Sequence, residues 1–152
     1  MPITLPPSYQ NAPSRQADIT QPMNDLFNVV TQINNGGGVG FVAGVGNGAQ
    51  VAQQTSRTTP VTINNRCGII VGNNASLPAQ TRASFVVNNN TVGTEDVVVI
   101  CLRGGPTADT SQFFVTGIGT GSFTITAANL NAVTADTGFP VIHFVVIKSA
   151  IT

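Results

Sequence analysis

The chain offers one histidine, two cysteines and six carboxylates as raw material for chemistry. His143 lies in the run Val141-Ile142-His143-Phe144-Val145-Val146-Ile147, on the face shared by Val141, Val145 and Ile147. One histidine cannot build a multi-histidine metal site, and Cys67 and Cys101 are too far apart in sequence for metal-ligand spacing. A Ser-His-Asp arrangement would draw on Asp109 or Asp136, but no Gly-x-Ser-x-Gly turn presents a nucleophile. Glu95-Asp96 is the one adjacent carboxylate pair. Neighbours on a strand point to opposite faces, so these two do not face one another across a sugar as acid and base.

Asp109 sits in the loop Gly104-Gly105-Pro106-Thr107-Ala108-Asp109-Thr110-Ser111, with no cluster of oxygen donors to hold Ca²⁺. Gly38-Val39-Gly40 and Gly44-Val45-Gly46 neither join a strand to a helix nor lead into Gly-Lys-Ser/Thr, so they are not nucleotide-binding loops. The expectation is therefore a chain with no catalytic residue, no metal and no cofactor. His143 reads as a hydrogen-bonded strand histidine in or near the core, Asp109 as a turn residue, and Cys67 and Cys101 as buried reduced thiols.

The elements that carry these residues are strands. Val61 and Ile63 alternate with Pro60, Thr62 and Asn64; Cys67, Ile69 and Val71 alternate with Gly68, Ile70 and Gly72. Ala83, Phe85 and Val87 alternate with Arg82, Ser84 and Val86, and Phe123, Ile125 and Ala127 with Ser122, Thr124 and Thr126. Period-two patterning of this kind predicts antiparallel sheets with one face toward a core. Val97-Val98-Val99-Ile100-Cys101-Leu102 and the run around His143 are apolar on both faces, which predicts central strands or strands buried between subunits. Asn64-Asn65, Gly72-Asn73-Asn74, Asn88-Asn89-Asn90, Gly104-Gly105-Pro106 and Gly119-Thr120-Gly121 supply turns. The fold class is all-β: an antiparallel β-sandwich or jelly roll of about eight strands over 36–152.

A different segment precedes it. Residues 1–35 form an N-terminal arm in this reading, extended through the prolines Pro2, Pro6, Pro7 and Pro13 and then helical over about 22–34. Pro22 suits the first helical turn and Asp25 the helix dipole. Met23, Leu26, Val30 and Ile33 are spaced 3, 4 and 3 apart, an a/d seam, and Phe27 widens the apolar surface. A helix this short must dock, either on its own β domain or in a bundle with copies from neighbouring subunits. Met23, Leu26, Phe27, Val30 and Ile33 are thus candidate oligomer or capsid contacts. Gly36, Gly37 and Gly38 are the candidate hinge between arm and body.

Composition restricts the function classes. Only 8% of residues are charged, six basic and six acidic, and the net charge is zero. Arg15, Arg57, Arg66, Arg82, Arg103 and Lys148 are scattered singly, which argues against nucleic-acid binding. No apolar run approaches a membrane span, and the start Met1-Pro2-Ile3-Thr4-Leu5-Pro6-Pro7 lacks the features of a signal peptide. A neutral surface of Thr, Asn, Gln and Ser is poorly protected against self-association and belongs in a permanent assembly.

The stretches Gly38-Val39-Gly40-Phe41, Gly44 to Asn64 and Cys67-Gly68-Ile69-Ile70, followed by Ser84-Phe85-Val86-Val87-Asn88, Asp96-Val97-Val98-Val99, Gly121-Ser122-Phe123-Thr124-Ile125 and Ile142 to Lys148, carry a likeness. From Gly38 to Lys148 the chain resembles small β-rich structural proteins of tailed bacteriophages and prophages. The resemblance implies a virion protein made in the host bacterial cytoplasm. It implies a capsid decoration or cement protein, a homotrimer bound to the major capsid protein on the outer head surface, with no enzymatic activity. The alternative within the same family is a tail fibre or spike component that binds a host-surface glycan. The lack of Trp, and a single tyrosine, Tyr9, weigh against that alternative.

Overall fold

A computed structural model describes residues 48–107 and 110–149 of the 152-residue chain. Eight strands occur among them: β1 (Gly48–Ala52), β2 (Val61–Thr62), β3 (Cys67–Val71), β4 (Arg82–Asn88), β5 (Val97–Gly104), β6 (Ser111–Gly119), β7 (Ser122–Asn129) and β8 (Val141–Ile147). They form two four-stranded sheets, here called A, in the order β1-β3-β8-β5, and B, in the order β2-β4-β7-β6. The described residues are all-β, as the alternating patterns predict, and contain no helix. The predicted arm helix lies outside the described residues.

Two pairings depart from the antiparallel expectation. β1 runs parallel to β3, and β2 runs parallel to β4. The cause is the path of the chain, which visits sheets A, B, A and B in turn from β1 to β4. A strand that returns to its own sheet after a pass through the other one runs in its original direction, so neighbours joined by such a crossover are parallel. The remaining pairings are antiparallel. Among the described residues only β6 and β7 form a two-residue hairpin, through Thr120 and Gly121; Gly121 has φ +78°, which the turn requires.

The inner faces of both sheets meet in one hydrophobic cluster. Sheet A contributes Ile70, Val98, Ile142, Phe144 and Val146, and sheet B contributes Val61, Phe85, Val87, Phe123 and Ile125. Phe123 and Phe144 stack across it with ring centroids 5.5 Å apart and planes tilted by 49°. Gly68 also faces this core: a Cβ there would lie 2.7 Å from Ile63 Cδ1 and 2.9 Å from Phe144 Cε1.

The sequence pattern indicated the inward face of β4 and β7 directly, since Phe85, Val87, Phe123, Ile125 and Ala127 are buried. In β3 the phase is the reverse of what the apolar triplet Cys67, Ile69 and Val71 suggests. Ile70 is fully buried and faces the core with Gly68, leaving the triplet on the outer side. β8 is central in sheet A, as a doubly apolar strand should be. β5 is instead an edge strand, with Val97 50% and Val99 46% exposed.

Candidate functional site

The polar residues that could do chemistry are occupied in holding loops. Arg57 and Asp136 are both buried, with Arg57 Nη2 3.4 Å from Asp136 Oδ1. Arg57 also donates from Nη2 to the carbonyls of Asp136 and Gly138, both at 3.0 Å, and from Nε to that of Ala75. Asp136 Oδ1 accepts from the amides of Thr107 at 3.0 Å and Gly138 at 2.9 Å. Burial pushes the Asp136 carboxyl up, but the Ser111 hydroxyl, these two amides and the Arg57 guanidinium outweigh it and hold the group below the usual carboxylate range. The pair ties four loops together at one end of the strands: those that follow β1, β3, β5 and β7. Both residues stand in sequence as isolated charges, 79 positions apart, and no local signal links them.

Asp96 has a similar role beside β5. Its carboxylate accepts from Lys148 Nζ and from the amides of Gly93 and Ser149, and these partners, Lys148 first, hold it below its ordinary range. Its neighbour Glu95 is exposed. The pair is therefore a structured strand start and not an acid and base facing a substrate.

His143 lies on the outer face of sheet A, with Ile69 opposite it on β3 and Cys101 opposite it on β5. The expectation of a hydrogen-bonded histidine in or near the core is corrected here. Its Nε2 is buried without a hydrogen-bond partner among the described residues. The Asp136 carboxylate is engaged elsewhere, so no Ser-His-Asp arrangement forms with it, and Asp109 lies outside the described residues.

Cys67 and Cys101 form no disulfide. β8 lies between their strands, which separates them by roughly 10 Å, beyond the reach of a disulfide. Cys101 is exposed and Cys67 is half-buried, so the prediction of two buried thiols fails for Cys101 and holds only in part for Cys67. Burial raises the Cys67 thiol pKa and keeps that group in its thiol form. Among the described residues no group of three or more His, Cys, Asp or Glu side chains could hold a metal ion. An open hollow of about 500 Å³ between the ends of β5 and β6 is lined by Leu102, Thr107, Thr110, Ser111 and Leu130 among others, and none of its described lining residues is charged.

The candidate site is consequently a surface. The outer face of sheet A carries Val97, Val99 and Cys101 from β5, Val141, His143, Val145 and Ile147 from β8, and Cys67, Ile69 and Val71 from β3. At its β1 edge stands Gln50, opposite Ile69. None of these side chains is an acid, a lysine or an arginine. Val97, Val99 and Ile147 are each about half exposed. Monomeric proteins rarely expose a contiguous apolar patch larger than a few hundred Å². Four strands at ~4.8 Å spacing and ~20 Å of strand length give this face about 400 Å² in projection.

The outer face of sheet B differs. Arg82, Ser84, Val86 and Asn88 line it on β4, beside Thr124 and Thr126 on β7 and Gln112, Phe114 and Thr116 on β6. Thr126 Oγ1 is 2.8 Å from both Ser84 Oγ and Thr116 Oγ1, a chain of three hydroxyls across three strands.

The predicted contact residues Met23, Leu26, Phe27, Val30 and Ile33 and the predicted hinge Gly36, Gly37 and Gly38 lie outside the described residues. No described helix is long and apolar enough to cross a membrane. No family model, no curated protein sequence and no solved structure matches the chain.

Proposed function

We propose that this chain is a non-enzymatic structural protein of a tailed-phage virion. In this reading it is a homotrimeric decoration or cement protein that binds the major capsid protein on the outside of the head. The observation that carries the reading is the apolar, charge-free outer face of sheet A, a surface built for permanent contact with protein. A low-charge chain with zero net charge supports it, because such a surface stays soluble best when much of it is covered. The sequence resemblance supports putting that contact in a virion, and the singly scattered cations and the lack of a long apolar run support a role without nucleic acid or membrane. The two sheets are read as a β-sandwich, and the parallel β1–β3 and β2–β4 pairs set it apart from an all-antiparallel jelly roll.

The test is to tag the full chain during phage production, purify particles and count copies per particle on heads and tails. Copy numbers that match the capsomers of the shell are expected. A protein absent from particles would remove the reading.

One observation favours a second reading, a tail fibre or spike component that binds glycan. On sheet B, Phe114 is 37% exposed beside the hydroxyl chain of Ser84, Thr126 and Thr116, an apolar platform next to polar groups. A handful of copies confined to the tail, with glycan binding lost in Phe114→Ala, is what that reading predicts.

A further inference from the structure

We propose that the outer face of sheet A is where copies of this chain meet one another. The inference deepens the structural role above by assigning the self-contact to named residues, and it stands without any contact to a capsid.

Three observations converge on a second copy as the occupant. First, the face is compatible with itself. Its side chains are Val, Ile, Cys, one His and one Gln, so two copies that meet here bring no Lys, Arg, Asp or Glu side chains of like charge together. A partner recognised by charge would find nothing on this face to pair with.

Second, the surroundings have the anatomy of an interface. Arg103 and Lys148 are exposed at the strand ends beside the apolar centre, the arrangement of polar rim and charge-depleted core seen where proteins associate. The projected ~400 Å² is about half of the ~800 Å² that each partner gives to a standard interface. It is therefore the centre of such a contact, with the rim supplying the rest.

Third, the face is left open along one side in a single chain. β5, an edge strand, brings Val97 and Val99 to the same side at about half exposure. An apolar edge left open in this way is a pairing hazard unless something covers it.

Cys101 is a built-in reporter, since its thiol is exposed in the single subunit and lies on the face. The experiment uses the full chain carrying Cys67→Ala, so that only Cys101 reacts with a thiol reagent. Labelling rate and sedimentation are followed together over a dilution series, with and without Val99→Asp. Assembly at high concentration with Cys101 labelling slowed about tenfold or more, both reversed by dilution, is the expected result. Val99→Asp should sediment as the smaller species and label fast at every concentration. Its cooperative melting should be retained because position 99 is half exposed; Val97→Ser repeats the test with a milder change.

An assembled protein whose Cys101 labels at the dilute rate would overturn the proposal, as would assembly that survives Val99→Asp. A strict monomer overturns it too, whether Cys101 labels quickly or is covered from within its own chain. Absence from purified particles, with this dilution behaviour intact, would instead remove the virion reading and leave the interface standing.

Discussion

The outer faces of the two sheets are built from the same strand geometry but from different side chains. Sheet B presents Arg82, Asn88 and Gln112 and a hydroxyl chain through Ser84, Thr126 and Thr116, with Val86 and Phe114 among them. Three of its hydroxyls bond one another across the strands, and its longer polar side chains favour contact with water. Sheet A presents ten residues of which His143 alone carries an ionisable nitrogen, and the apolar groups gain most when water is removed from them. Folding is therefore served by both sheets through their inner faces, whereas the proposed association falls on the outer face of one.

The contrast can be broken by changes that separate stability from assembly. The largest loss of stability is expected away from both faces. Arg57→Ala leaves the Asp136 carboxylate buried without its cation and should lower unfolding free energy by about 3–5 kcal/mol, read from chemical denaturation. The same site predicts acid behaviour. Because the Asp136 carboxyl lies below its ordinary range in the folded chain, its contribution is complete above the unfolded carboxylate value of about 4. It is lost as pH falls through that value toward the lower folded one. Asp136→Asn should weaken the protein near neutral pH and flatten the decline below pH ~4; an unchanged acid limb would contradict this assignment.

Gly68→Ala should come next. The added methyl group meets Ile63, the Ala49 carbonyl and Phe144 at 2.7 to 2.9 Å, on the inner side of sheet A. A loss of about 1–3 kcal/mol is expected, with the assembly state unchanged once the protein is folded. Equal stability in a melting experiment would mean that this corner of the core is looser than the contacts imply.

The smallest effect belongs to sheet B. Thr126→Val removes the middle hydroxyl of the chain and leaves Ser84 and Thr116 to water, for about 1 kcal/mol of lost stability and no change in sedimentation. If this substitution disrupted assembly, the assignment of the two faces would have to be exchanged.

Much of this division was legible in the residues, and the exceptions have physical causes. Phe85, Val87, Phe123, Ile125 and Ala127 alternate with polar neighbours, so the pattern alone indicates which way β4 and β7 face. In β3, β5 and β8 both phases are apolar. Alternation then cannot say that Ile70, Ile142 and Phe144 turn inward while Ile69, His143 and Val145 turn outward. That ambiguity is itself the mark of the candidate site, because a strand that is apolar on both sides must be covered on both. The parallel pairings were not legible, since they follow from the order in which the chain visits the sheets. Nor was the Arg57–Asp136 pair, whose members are far apart in sequence and carry no shared motif. The apolar seam Met23, Leu26, Val30 and Ile33 and the hinge glycines lie outside the described residues and remain expectations of the sequence.

The central claim, that contact is made by sheet A and not by sheet B, is tested most directly by a matched pair of charges. Val145→Asp places a carboxylate in the middle of the sheet A face, and Thr124→Asp places one on the outer face of sheet B. In sedimentation equilibrium at the same concentration, Val145→Asp should run as the monomer while Thr124→Asp keeps the mass of the wild-type assembly. The reverse outcome, or two variants that both keep that mass, would contradict the account.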